Sequence, residues 1–193
     1  MRYSNSPELD AVYGLVASWS RPDDPDQARL DEAMTVAGAL ASLGEDRSWA
    51  SVWWAYGALH YEMSDEALDR SLVLLARVDH PDCACAAALM LQAEIEYASA
   101  VYAESEPSHA KQRDLLARAV SLAPDWPALR LRLARASKAV GDEADARDHG
   151  ARVVALLERE ATLDPFDSAI TGRNLDRDYV RRELEMLGVV GTD

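Results

Sequence analysis

Residues 123–163 read APDWPALRLRLARASKAVGDEADARDHGARVVALLEREATL and decide the fold of this chain. Apolar residues recur at the spacing of one helix face on both sides of Gly141. They are Leu129, Leu133, Ala136 and Val140 before the glycine, and Ala144, Ala151, Val154, Ala155 and Leu157 after it. Because glycine readily adopts the left-handed conformation that ends many helices, the stretch predicts two helices folded back on each other across a tight turn.

The ends and the small residues of this hairpin support the same interpretation. Pro127 suits the first position of the first helix, and Asp125 is a candidate cap. Ala134 and Ala146 are small residues at the points where two antiparallel helices approach closely. A single hairpin cannot cover its own apolar face, so we expect it to pack against neighbouring hairpins.

The run LARASKAVGDEADA, residues 133–146, resembles the core of a tetratricopeptide repeat. It contains the small residue of the first helix, Ala134, the turn glycine, Gly141, and the small residue of the second helix, Ala146. Pro124 and Pro165 resemble the closing signals of two successive repeats, although they are 41 residues apart and the family's unit is about 34. The resemblance implies an α-solenoid in which the first helices of successive hairpins line a concave groove.

The composition supports one all-α domain over residues 1–193. The chain has 49% hydrophobic residues, a single phenylalanine and no run of β-branched residues. We therefore expect an α-solenoid of about four antiparallel helix hairpins, similar to tetratricopeptide repeats and closed by a C-terminal capping helix. The predicted hairpins cover about 7–43, 46–79, 83–122 and 127–163, and the capping helix covers 176–187.

The charge excludes some classes of partner. A formal net charge of −14 argues against nucleic acid, because phosphate binding needs a basic surface. Residues 1–110 contain 6 basic and 19 acidic residues, whereas the remainder is nearly balanced. No segment has the 18 apolar residues of a membrane-spanning helix and the start does not resemble a signal peptide, so we expect a cytoplasmic protein. The preference for arginine over lysine, together with the abundant alanine, indicates a bacterial source.

Three basic residues form the first candidate binding site. Arg132, Arg135 and Lys138 are spaced by three, so they share one face of the predicted helix. The resemblance places that face on the concave groove, where it would bind a carboxylate or an acidic segment of a partner. The alternative is a solvated face whose charges are balanced by acids of the next helix.

The Trp-rich segment, SWASVWWAYGALHYEM at residues 48–63, provides the second candidate site. The spacing predicts that Trp53, Tyr56 and Leu59 face the stack of helices, while another stripe faces the groove. Tryptophan side chains are more often buried in the core than exposed at the surface. The alternative is therefore that this stripe packs within the fold and binds no partner. The candidate groove residues are Ser51, Trp54, Ala58 and Tyr61, continued by Glu94 and Tyr97.

The sequence contains a weak metal signal and no recognisable catalytic motif. His80, Asp82, Cys83 and Cys85 are ligand types close together, with His60 as a further candidate. Structural zinc sites usually have two to four residues between their cysteines and a second, distant pair of ligands, and neither is present here. We therefore expect no metal, no cofactor and no catalytic activity.

These features predict a non-catalytic scaffold or adaptor that binds a peptide segment of a partner protein in a concave groove. One alternative is an enzyme or a small-ligand-binding protein with a pocket lined by the Trp-rich helix. Another is a structural protein that self-associates, for example as a homodimer, through its aromatic stripe. The sequence identifies neither the partner nor the pathway, and it does not distinguish a bound peptide from a bound small molecule.

Overall fold

The computed structural model describes residue 35 and residues 48–78, 83–158 and 176–188. These residues form helices and turns and contain no strand, which confirms the predicted all-α class. The chain divides into two compact units, Met1–Ile95 and Glu96–Asp193, which are described separately below. The predicted first hairpin, residues 7–43, lies outside the described residues.

The first unit contains a helix pair built from the Trp-rich segment and its successor. Helix α1, Ser48–Gly57, continues into a π-helical turn, Ala58–Glu62, which ends at Met63 with a left-handed φ of 49°. The Ser64 hydroxyl then accepts a hydrogen bond from the backbone N–H of Ala67 at 3.2 Å and caps helix α2, Asp65–Leu75.

An apolar core holds α1, the π-helical turn and α2 together. Trp53 and Leu59 are buried, as the spacing of the aromatic segment predicts. From α2 and the residues after it, the buried apolar side chains are those of Ala67, Leu68, Leu74, Leu75 and Val78. Helix α3, Cys83–Tyr102, follows, and the boundary between the units falls within it, after Ile95.

The described residues of the second unit form four further helices: α4, His109–Leu122; α5, Pro127–Ala139; α6, Glu143–Leu157; and α7, Arg177–Met186. Helix α5 packs between α4 and α6, and α7 packs on α6. Side chains of Ser108, Asp142 and Asp176 cap α4, α6 and α7 respectively. Ala134 and Ala146 are fully buried, in agreement with their predicted position where two helices approach closely.

The structure corrects two details of the predicted hairpin. Trp126, not Asp125, occupies the cap position of α5, and no side-chain hydrogen bond caps this helix, which begins with Pro127. In α6 the predicted apolar stripe is confirmed at Leu157 and wrong elsewhere, because Ala144, Ala151, Val154 and Ala155 are exposed. The buried face consists of Leu157 together with Ala146, Gly150 and Val153. With alanine on several faces of α6, packing against α5 and α7 decides which face is buried.

The turn between α5 and α6 has the geometry that its glycine predicts. Gly141 has a φ of +83°, and the N–H of Asp142 donates to the carbonyl of Ser137 at 2.9 Å while the N–H of Gly141 donates to that of Lys138 at 3.0 Å. These two bonds define a Schellman motif, in which a left-handed residue satisfies the last carbonyls of a helix.

Replacing Gly141 with alanine is therefore expected to lower the free energy of unfolding by about 1 kcal/mol, since an L-residue is strained at positive φ. A Cβ at this position would have no heavy atom within 4 Å, so the loss would come from the backbone and not from a clash. Gly141→Asn is the matched control and should lose less, because asparagine tolerates the left-handed region. Denaturant unfolding measures both, and equal stability of G141A and wild type would contradict the prediction.

Candidate functional site

Arg135 is the member of the predicted basic face that makes the most specific contacts. Its guanidinium pairs with the carboxylate of Glu183 and donates a hydrogen bond to the hydroxyl of Tyr179 at 3.2 Å. Burial alone would lower the pKa of Arg135, but the bonds to Tyr179 and Glu183 outweigh burial and raise that pKa. The arginine is thus held as a cation against two oxygen atoms of helix α7.

Helix α7 is placed there by its apolar face. Val180 and Leu184 are almost fully buried and join a cluster formed with side chains of α5 and α6. Tyr179 and Glu183 flank these anchors and are four residues apart, so they lie on the same side of α7. The remaining members of the cluster are Leu131, Ala146, Val153 and Leu157, with Leu187 packed against it.

The other two basic residues of this face also contact groups of their own chain. The ammonium of Lys138 lies 2.8 Å from the carboxylate of Glu143, which in turn pairs with Arg147 at 3.0 Å. The hydrogen bond from Lys138 and the charges of Lys138 and Arg147 lower the pKa of Glu143. Arg132 is partly buried and donates to the carbonyl of Ala128 at 3.3 Å. Their role in binding a partner stays a prediction.

The predicted aromatic site is more buried than an open binding surface. Ser51 is 7% exposed, Ala58 is fully buried, and the side chain of Tyr61 lies outside the described part of the chain. Trp54 is partly exposed, and the guanidinium of Arg70 lies 4.3 Å from the centroid of its ring, a cation–π contact. The indole N–H of Trp54 is buried and finds no acceptor among the described residues.

Glu94 and Tyr97, predicted to continue the groove, fall on opposite sides of the unit boundary. Glu94 is partly buried in the first unit. In the second unit Tyr97 is 41% exposed, and its ring centroid lies 5.9 Å from that of His109. The carboxylate of Glu96 pairs with the ammonium of Lys111 at 2.9 Å and joins the end of α3 to α4.

A partly buried polar network between α5 and α6 was not predicted from the sequence. Ser137 is fully buried, and its hydroxyl donates to one carboxylate oxygen of Asp145 at 2.5 Å. The other oxygen of Asp145 lies 3.4 Å from Nε2 of His149, whose Nδ1 lies 3.1 Å from the guanidinium of Arg130. Arg130 is 6% exposed and also donates to the carbonyl of Pro124 at 2.7 Å. The two helices therefore meet through hydrogen bonds as well as apolar contacts.

The sequence carried a signal for this network. Arg130 and Ser137 are seven residues apart on α5, and Asp145 and His149 are four apart on α6, so each pair lies on one helix face. The two pairs stand on either side of Gly141, so the turn brings their faces together. The spacing of apolar residues alone does not predict such a network, because polar residues are then assigned to the solvent-facing side of each helix.

The network does not have the order of groups that activates a serine. In such a site the hydroxyl bonds to the imidazole, which a carboxylate orients from the other side. Here the hydroxyl of Ser137 bonds to the carboxylate of Asp145 and is fully buried. The arrangement can hold two helices in one register, and it can respond to protonation of its histidine.

No protein-family model, curated protein sequence or solved structure matches this chain. The resemblance to tetratricopeptide repeats thus stays a prediction that depends on residues 133–146.

The four neighbouring residues weighed as metal ligands lie mostly outside the described part of the chain. His80 and Asp82 lie in residues 79–82, and the side chain of Cys83 is also outside the described part. Cys85 carries a partly buried thiol. Within the described ranges no group of three or more potential ligands is close enough to hold a metal ion.

Among the described helices, none has both the length and the apolar composition needed to cross a bilayer.

Proposed function

We propose that this protein is a non-catalytic, tetratricopeptide-like scaffold that binds an acidic helical segment of a partner protein on the face of α5 carrying Arg132, Arg135 and Lys138. The proposal includes the predicted solenoid of about four hairpins with a C-terminal capping helix. Hairpin packing within each unit supports it: α1 pairs with α2 in the first, and α5 pairs with α6 in the second.

One observation carries the proposal. The face that the sequence predicts to bind a carboxylate is in contact with one, that of Glu183. Glu183 is presented by an amphipathic helix whose apolar residues, Val180 and Leu184, are buried beside the arginine. The contact illustrates the chemistry that a partner would use: an acidic side chain for the guanidinium, and apolar side chains one turn away.

Acidic side chains of the chain itself compete with a partner for the basic residues of α5. How strongly each acid is held decides whether a partner reaches Lys138 or Arg135 more easily. The side chains of Lys138 and Glu143 are 34% and 52% exposed, so a partner carboxylate could replace Glu143 with little loss. The pair between Arg135 and Glu183 is less exposed and is supported by the hydroxyl of Tyr179. A partner that bound Arg135 would have to displace Glu183 or share the guanidinium with it.

Charge reversal tests this site. The double variant Arg132→Glu and Arg135→Glu is expected to weaken partner binding about 10-fold or more, because it places two carboxylates where the acidic segment docks. Partners captured from a lysate of the native host would be identified by mass spectrometry, and the acidic segment of each would then be titrated by fluorescence anisotropy. Raising the salt concentration should weaken the wild-type complex more than the variant complex.

Two further variants separate local from general effects. Arg118→Glu with Arg152→Glu makes the same change in net charge at exposed positions of α4 and α6 and should alter binding by no more than about twofold. Glu183→Gln removes the competing carboxylate and should strengthen binding. If R132E/R135E and R118E/R152E weakened binding equally, the site would be wrong.

A further inference from the structure

The contact between Arg130 and His149 requires a particular protonation state. A guanidinium has only donors, so the nitrogen that faces it, Nδ1 of His149, must carry a lone pair and no proton. The remaining proton then lies on Nε2, which faces the carboxylate of Asp145 at 3.4 Å. Geometry alone therefore assigns the neutral Nε2–H tautomer to His149.

Protonation would reverse the sign of this contact. An imidazolium has an N–H on both nitrogens, so Nδ1–H would point at a guanidinium donor 3.1 Å away. The two like charges would also be poorly screened, since Arg130 is 6% exposed and the side chain of His149 is 12% exposed. A bond that holds α5 against α6 would become a repulsion.

The other charged groups around this contact act in both directions. Burial is the largest influence and lowers the pKa of His149; the cations Arg130 and Arg152 lower it further, and the carboxylates Asp145 and Asp148 oppose them. The result is a pKa below the ordinary value. Arg130 itself feels Asp148 and Asp125 as attractive charges and Arg152 as a repulsive one.

We propose that the Arg130–His149 contact is a pH-sensitive latch that holds α5 and α6 together at neutral pH and loosens under mildly acidic conditions. The latch goes beyond the proposed binding role because it requires no partner. It works through one proton on Nδ1 of His149, which removes the only acceptor that this ring offers to Arg130.

The direction of the pH dependence follows from linkage. Below about pH 6.5, the ordinary value for histidine, the unfolded chain takes up a proton that the folded chain resists. The stability that the neutral contact supplies is thus present above that pH and is lost as the pH falls through the lower pKa of the folded protein. Aspartates ordinarily titrate at more acidic pH than histidine. The loss of stability that begins just below about pH 6.5 is therefore due to histidine.

Two measurements on the full-length protein test the latch. Long-range ¹H–¹⁵N NMR of the wild type reports the tautomer and the pKa of His149 directly, and it requires no variant to fold. Thermal unfolding of wild type and His149→Asn at pH 7.5 and 5.5 reports the energetic consequence. Asparagine can present its Oδ1 to Arg130 but cannot be protonated, so the wild type should lose roughly 3 °C more than H149N over this interval.

His109→Asn is the matched control, since His109 is also partly buried but lies in α4. It should keep the pH dependence of the wild type. Amide-exchange protection factors of the wild type, which are corrected for the intrinsic pH dependence of exchange, should fall at pH 5.5 in α5 and α6 but not in α4. The latch would be overturned by an Nδ1–H tautomer, by a pKa at or above the ordinary value, or by a pH dependence that H149N shares with wild type.

Discussion

Replacement of Trp53 by alanine is expected to lower the free energy of unfolding by about 3–5 kcal/mol, the largest effect of any single change proposed for this chain. Trp53 is 2% exposed at the centre of the helix pair of the first unit, and its ring also meets that of Tyr56 edge to face at 5.6 Å. Removing the indole would leave a cavity that the close-packed helices could fill only in part. Denaturant unfolding followed by tryptophan fluorescence and circular dichroism measures the loss.

The adjacent residue provides a matched control. Trp54 is partly exposed, and the guanidinium of Arg70 lies over its ring. Trp54→Ala should therefore cost about 1–2 kcal/mol, because it removes less buried area and one cation–π contact. A larger loss for W54A than for W53A would show that the two faces of α1 are assigned the wrong way round.

Replacement of Arg130 by leucine is expected to cost about 2 kcal/mol. The change removes a buried charge, which by itself is favourable, but it leaves the carbonyl of Pro124 and Nδ1 of His149 without their donor. Unfolding of R130L, of His149→Leu and of the double variant forms a thermodynamic cycle. Because the two side chains contact each other, the double variant should lose about 1 kcal/mol less than the two single changes added together.

Arg118→Leu is the control for that cycle. Arg118 is exposed on α4, so its change should cost no more than about 0.5 kcal/mol and should add independently to H149L. Strict additivity of R130L and H149L would contradict a direct interaction between the buried arginine and the histidine.

The elements of this fold were predictable where their cause is local. The helices on either side of Gly141, the cap at Ser64 and the burial of Trp53 and Leu59 all follow from residues within a few positions of each other. The prediction was wrong for most of the buried face of α6, where alanine occurs on several sides of the helix and only contact with α5 and α7 selects one of them.

The candidate site shows the same division. The spacing of Arg132, Arg135 and Lys138 predicts that they lie along one side of α5, but it could not reveal what lies opposite that side. Glu183, which is 48 residues from Arg135 in sequence, reaches it only because α7 docks on the cluster of α5 and α6. The network of Arg130 and His149 was not predicted, because polar residues in a helix are expected to face solvent unless the packing of a second helix against them is known.

The sequence by itself determined the helices of the described residues, the tight turn at Gly141 and the caps of α2, α4, α6 and α7. Helix periodicity, left-handed glycine and capping hydroxyls or carboxylates act within about four residues, so no distant contact is needed to specify them. Only the tertiary structure decided that Arg135 meets Glu183 and that Arg130 meets His149, 19 residues away. Such pairs form because helix packing brings distant segments together, and local sequence does not encode which partners will then be adjacent.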